Sequence, residues 1–82
     1  ESFPNPARST VQIRYAQPQT GHVRLTVADH LGREVARLVD EHVVTGEHTL
    51  TWSPTSMAPG VYIVVVQGEG LPVRSRTLVW VD

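Results

Sequence analysis

Four histidines, His22, His30, His42 and His48, are the side chains here best suited to hold a metal ion, since neutral imidazole is a common zinc ligand. Their spacings of 8, 12 and 6 residues match no compact ligand motif, and neighbouring turn signals put them at the periphery. With no cysteine, neither a thiolate site nor a disulfide framework is available. Solvated imidazoles are the reading these spacings support, with no metal and no cofactor expected.

Acid–base catalysis would need two titratable groups at the floor of a cleft. Asp29, Glu34, Asp40, Glu41, Glu47 and Glu69 instead mostly flank turns, where polar side chains satisfy local backbone groups. Ser9, Ser53, Ser56 and Ser75 lack a G-x-S-x-G context, and no Gly-rich phosphate loop is present. An enzyme is not expected. The aromatics Phe3, Tyr15, Trp52, Tyr62 and Trp80 raise a different possibility, stacking against a sugar ring. Trp52 alternates in step with Leu50 and reads as core. Trp80 falls beside Arg74 and Arg76, which makes it the candidate for an exposed sugar platform unless a bulge turns it inward.

The elements that must position these residues are constrained by composition. Eighty-two residues make one small domain with a thin core. Fourteen Val, two Ile and eight Thr outweigh five Ala, six Leu and one Met. Branching at Cβ restricts χ1 and suits a pleated surface, so the skew favours strands. All seven basic residues are Arg, set against eight acidic ones for a formal charge of −1, with no block of one sign. A nucleic-acid binder would need a clustered basic face. No stretch approaches the ~18 apolar residues of a membrane span, and "ESFPNPARST" has no signal-peptide core. A start at Glu1 without an initiator Met is what a module of a longer protein would show.

Pro4 and Pro6 make residues 1–9 an extended linker entering a domain over 10–82. Val11, Ile13 and Tyr15 then alternate with Gln12, Arg14 and Ala16, as in a half-buried strand, and Val23, Leu25 and Val27 repeat the pattern. "ADHLGREVARLVDEH" is ambiguous, because Leu31, Val35, Leu38 and Val39 also have helical spacing. A helix would have to accept Gly32 inside it at about 1 kcal/mol and would lack strong caps. Asp29-His30-Leu31-Gly32 instead matches a type I turn closed by a G1 bulge, followed by a strand from Glu34 to about Asp40. "EHTLTW" alternates again, "SPTSMAPG" is a loop, and "VYIVVVQ" suits a central strand covered on both faces. The closing "VRSRTLVWV" puts Arg74, Arg76, Leu78 and Trp80 on one face. The expectation is an all-β, Ig-like antiparallel β-sandwich of about seven strands.

Taken in order, "PNPARSTVQIRY", "GHVRLTVADHLGREVARLV", "TGEHTLTW", "MAPGVYIVVV" and "RTLVWV" resemble the type A C-terminal sorting domain of the bacterial type IX (Por) secretion system. The resemblance implies a non-catalytic tag at the C-terminus of secreted proteins of Bacteroidetes and relatives. Cargo linked upstream would pass through the periplasm, cross an outer-membrane translocon that reads the tag, and be cut and anchored at the cell surface by a sortase. Within it Asn5 and Pro6 match the opening motif, Gly32 and Arg33 the Gly-Arg turn, Gly60 and Tyr62 the Gly-Val-Tyr strand, and Arg76 the basic residue near the end. Arg33 and Arg76 are the candidates for translocon contact, Gly32 and Gly60 are backbone devices, and Tyr62 packs. The chain departs from the family with "QP" for Leu-Pro, "VAD" for Val-Tyr-Asp, and Arg76 where Lys is common. Two alternatives share the fold: a carbohydrate-binding or spacer module, and the Ig-like domain of flagellar hook-capping proteins. The latter usually carries Trp-Asp-Gly where this chain has "WSPTSMAPGVY".

Overall fold

The computed structural model describes residues 9–81, so Phe3, Asn5, Pro6 and most of the linker expected over 1–9 lie outside the described residues. Six strands follow in chain order: β1 (Val11–Gln17), β2 (Gly21–Ala28), β3 (Glu34–Val43), β4 (Gly46–Trp52), β5 (Gly60–Gly68) and β6 (Arg74–Trp80). No described residue is helical. β1 and β4 form a two-stranded antiparallel sheet, and a four-stranded antiparallel sheet runs β3-β2-β5-β6. The chain therefore crosses from the small sheet to the large one after β1, returns after β3, and crosses again after β4. This is the expected sandwich, with six strands among the described residues.

Alternation in the sequence becomes alternation in burial. Val11, Ile13 and Tyr15 of β1 and Val23, Leu25 and Val27 of β2 point inward with Val64 and Val66 of β5 and Leu78 of β6, and most of these are fully buried. Burying such a side chain is worth about 1.5–3 kcal/mol relative to leaving it exposed, so this inner layer supplies most of the drive to fold. Strand β3 departs from a clean period of two, and the reason is visible in its pairing with β2. Leu25 faces Val39 while Thr26 faces Arg37, and Val27 faces Ala36 while Ala28 faces Glu34. Leu38 and Val35 are thus extra residues in two bulges, each of which resets which face the next side chain takes. Those insertions gave the stretch its apparent helical spacing.

Strand β5 differs from expectation. It is interior to the large sheet, but only its inner face is covered, and Val61 and Ile63 on the outer face are 50% and 38% exposed. A run of apolar residues suited to cover on both faces here has a second sheet on one side only. Trp80 also differs from the exposed platform considered above: it is 6% exposed and belongs to the core. Its strand keeps Arg74, Arg76, Leu78 and Trp80 in step, but the face they share passes from open to covered along β6. Arg76 is exposed and Arg74 half-buried, whereas Leu78 and Trp80 are enclosed.

Candidate functional site

The β2–β3 hairpin turn is built by one carboxylate. Gly32 N–H donates to the Asp29 carbonyl at 3.0 Å, closing the type I turn, and Asp29 N–H donates to the Arg33 carbonyl at 2.9 Å, closing the hairpin around it. Gly32 takes φ = 82°, the left-handed position of the G1 bulge, which an L side chain disfavours. Asp29 Oδ1 accepts the Leu31 and Arg33 amides, both at 2.9 Å, and Oδ2 accepts Arg33 Nε at 2.9 Å. These bonds, the Arg33 amide first, hold the Asp29 carboxyl below the ordinary carboxylate range, against the opposing effect of burial. Arg33 is thereby gripped at Nε while its side chain stays 73% exposed, so the two terminal guanidinium nitrogens reach outward.

Facing the hairpin is the loop 53–59, pinned from below by two core aromatics. Tyr62 Oη donates to the Ala58 carbonyl at 2.5 Å, and Trp80 Nε1 donates to the Met57 carbonyl at 3.2 Å. Opposite Trp80 in the β5–β6 register stands Gly60, at φ = 157°, where a Cβ would meet nothing within 4 Å. Its freedom serves the backbone rather than a close approach. Between loop and hairpin lies an open cleft of about 450 Å³, walled by Arg33 and Val35 on one side and Trp52, Ser56 and Met57 on the other, with Tyr62 between.

Gly32, Arg33, Gly60, Tyr62 and Trp80, dispersed along the chain, therefore converge on one end of the sandwich. Arg76 does not join them. It lies within β6 opposite Val64 and is not part of the cleft. The neighbouring Arg74 has a structural task, donating from Nη1 to the Ala16 carbonyl at 2.8 Å and so tying the large sheet to the small one. Asp29 aims Arg33 through its second oxygen as well as forming the turn, and turn chemistry in the sequence carries no signal of that second task. Trp52 and Met57 carried no functional signal, because alternation and loop composition say nothing about a cleft between distant segments.

His22 and His42 stand opposite each other in the β2–β3 register, His30 lies in the hairpin turn, and His48 is on β4 of the other sheet. His22 Nε2 lies 2.5 Å from Asp40 Oδ1, and Arg24 and Arg37 flank the same carboxylate. The His22 bond, then these cations, lower the Asp40 pKa, with burial opposing. His48 stacks on Tyr15 with centroids 5.5 Å apart and bonds the Val44 carbonyl at 2.7 Å. No group of three metal-ligating side chains occurs among the described residues.

Comparison with known proteins gives one result. A family model described as the secretion system C-terminal sorting domain matches residues 1–80, all but the last two positions. Neither a curated protein nor a solved structure matches the chain.

Proposed function

We propose that this chain, which belongs to the secretion system C-terminal sorting domain family, is the folded address that carries an upstream cargo through the type IX outer-membrane translocon. Family membership gives the sorting role. The finer reading is that cargo travels through the periplasm, that the translocon recognises the folded surface of residues 10–82, and that residues 1–9 connect the address to the cargo, near which a sortase acts. The module itself is non-catalytic and leaves its cargo secreted or on the cell surface. Arg33 and Arg76 are its contact residues toward the translocon.

The observation that carries this reading is the convergence of Gly32, Arg33, Gly60 and Tyr62 on one pole, where Asp29 presents an exposed guanidinium. A residue kept only for packing needs no such presentation. Sugar binding lacks a comparable support, since Tyr15, Tyr62 and Trp80 are buried and Trp52 is half-buried, leaving no exposed ring among the described residues. The test is a fusion of all 82 residues to a periplasmic reporter in a type IX host. Reporter at the cell surface or in the medium is the expected result, and a reporter retained in the periplasm refutes the proposal.

A further inference from the structure

The cleft beside Arg33 is unevenly charged. Asp29 Oδ1 is taken by two amides and Asp29 Oδ2 by Arg33, whereas Arg33 donates from Nε and turns its exposed terminal nitrogens outward. Across the cleft the Met57 and Ala58 carbonyls are taken by Trp80 and Tyr62, beside the Ser53, Thr55 and Ser56 hydroxyls. Ser56 holds φ = 60°, a left-handed conformation uncommon outside glycine. Among the described residues Asp29 and Arg33 are the only charged ones lining the cleft, and the Asp29 charge is turned inward onto the hairpin. What faces the opening is a planar cation, loop hydroxyls and the apolar surface of Trp52, Val35 and Met57.

We infer that this cleft takes an extended acidic peptide segment of the partner protein, pairing a Glu or Asp carboxylate with Arg33 and seating an adjoining apolar side chain against Trp52 and Met57. Charge complementarity selects the carboxylate, because a guanidinium held at Nε still offers both terminal nitrogens to two oxygens. The apolar wall beside that cation selects a carboxylate flanked by an apolar group, as an acidic peptide segment supplies. A sugar acid would share the carboxylate but brings no apolar side chain to seat against Val35, Trp52 and Met57. The cleft volume falls within the range of small-ligand sites and suits a few residues of chain. Identification of the partner as a translocon component rests on the sorting reading; the chemistry of the cleft does not.

The test is an NMR titration of the 82-residue chain with acetyl-Leu-Glu-Val-amide, the Gln isostere acetyl-Leu-Gln-Val-amide, and glucuronate. The Glu peptide is expected to shift the Arg33 Nε–H, the Trp52 indole N–H and the 55–58 amides. The Gln isostere should bind about tenfold more weakly, the scale of one charge-assisted hydrogen bond. Arg33→Gln should abolish the difference between the two peptides, with unchanged β1 and β4 amide shifts showing that the fold is intact. Equal affinity for both peptides, shifts outside the cleft only, or tighter binding of glucuronate overturns the inference. Export of the reporter fusion separates it from the sorting reading. A wild-type fusion that is not exported sinks sorting while the peptide titration still stands. If the wild-type and Arg33→Gln fusions are exported equally, the cleft is not the translocon contact and the inference fails with sorting intact.

Discussion

Arg33 Nε donates to Asp29 Oδ2 across 2.9 Å while the other Asp29 oxygen accepts two turn amides, so one carboxylate both shapes the hairpin and aims the guanidinium. Two substitutions separate these tasks. Asp29→Asn keeps an oxygen for the two amides but loses the charged acceptor, and Asp29→Ala loses both. Thermal unfolding should rank wild type above Asp29→Asn and Asp29→Ala lowest. If Asp29→Asn is as damaging as Asp29→Ala, the ion pair rather than the amide bonds shapes the turn.

The same carboxylate gives a pH dependence of known sign. Its pKa in the folded chain is lowered, chiefly by the Arg33 amide, so folding favours its ionised form. The resulting stability is present above the unfolded-state pKa of an aspartate and is lost as pH falls through the folded-state pKa. The melting-temperature gap between wild type and Asp29→Asn should therefore be widest near neutral pH and narrow on acidification. A gap that widens in acid contradicts the assignment. Asp40, lowered mainly by its bond to His22, adds a loss of the same sign, and Asp40→Asn should remove that part independently.

Gly32 supplies a second check on the turn. At φ = 82° a side chain is strained, yet a Cβ would meet nothing within 4 Å, so the cost of Gly32→Ala is backbone strain alone. Equilibrium unfolding should show a loss of about 1–2 kcal/mol. Gly32→Asn should lose less, because Asn tolerates the left-handed region better. A larger loss for Asn than for Ala would mean that packing, not φ, selects glycine here.

Much of this arrangement was legible in the chain, because it depends on local rules. Asp29 and Gly32 carry the turn, and the alternation in β1 and β2 reports directly which face is buried. Strand β3 was harder to read, since Leu38 and Val35 are bulged and a bulge leaves no mark in composition. Trp80 was ambiguous for a related reason. Arg74 and Arg76 share its face, and only the way the small sheet covers the large one decides where along β6 that face closes. The cleft was not legible, because it is made by Trp52, loop 53–59 and the Arg33 hairpin, which meet only through the crossing of the chain between sheets.

Register in β5 predicts unequal responses from neighbouring valines. Val64 is fully buried, whereas Val61 is 50% exposed on the opposite face. Val64→Ala removes two buried carbons and leaves a cavity, so a loss of about 2 kcal/mol is expected in denaturant unfolding. Val61→Thr stays β-branched on an open surface and should lie within about 0.5 kcal/mol of wild type. Comparable losses at both positions would show that the outer face is covered.

The loop that walls the cleft should respond to loss of its two anchors. Tyr62→Phe keeps the ring and removes only the donor to the Ala58 carbonyl, a change worth about 0.5–1.5 kcal/mol. The 53–59 loop has no backbone hydrogen bonds to itself, so the Tyr62 and Trp80 bonds, with Met57 packed on the core, restrain its second half. Amide exchange at Met57 and Ala58 should accelerate in Tyr62→Phe by more than the global loss of stability accounts for, while exchange in β1 and β4 should follow the global change alone. Trp80→Phe should release Met57 by the same route, at a larger global cost because it also shrinks a buried ring. Uniform acceleration across the sandwich in both variants would mean that the two aromatics support the core generally and that the loop is held by something other than these bonds.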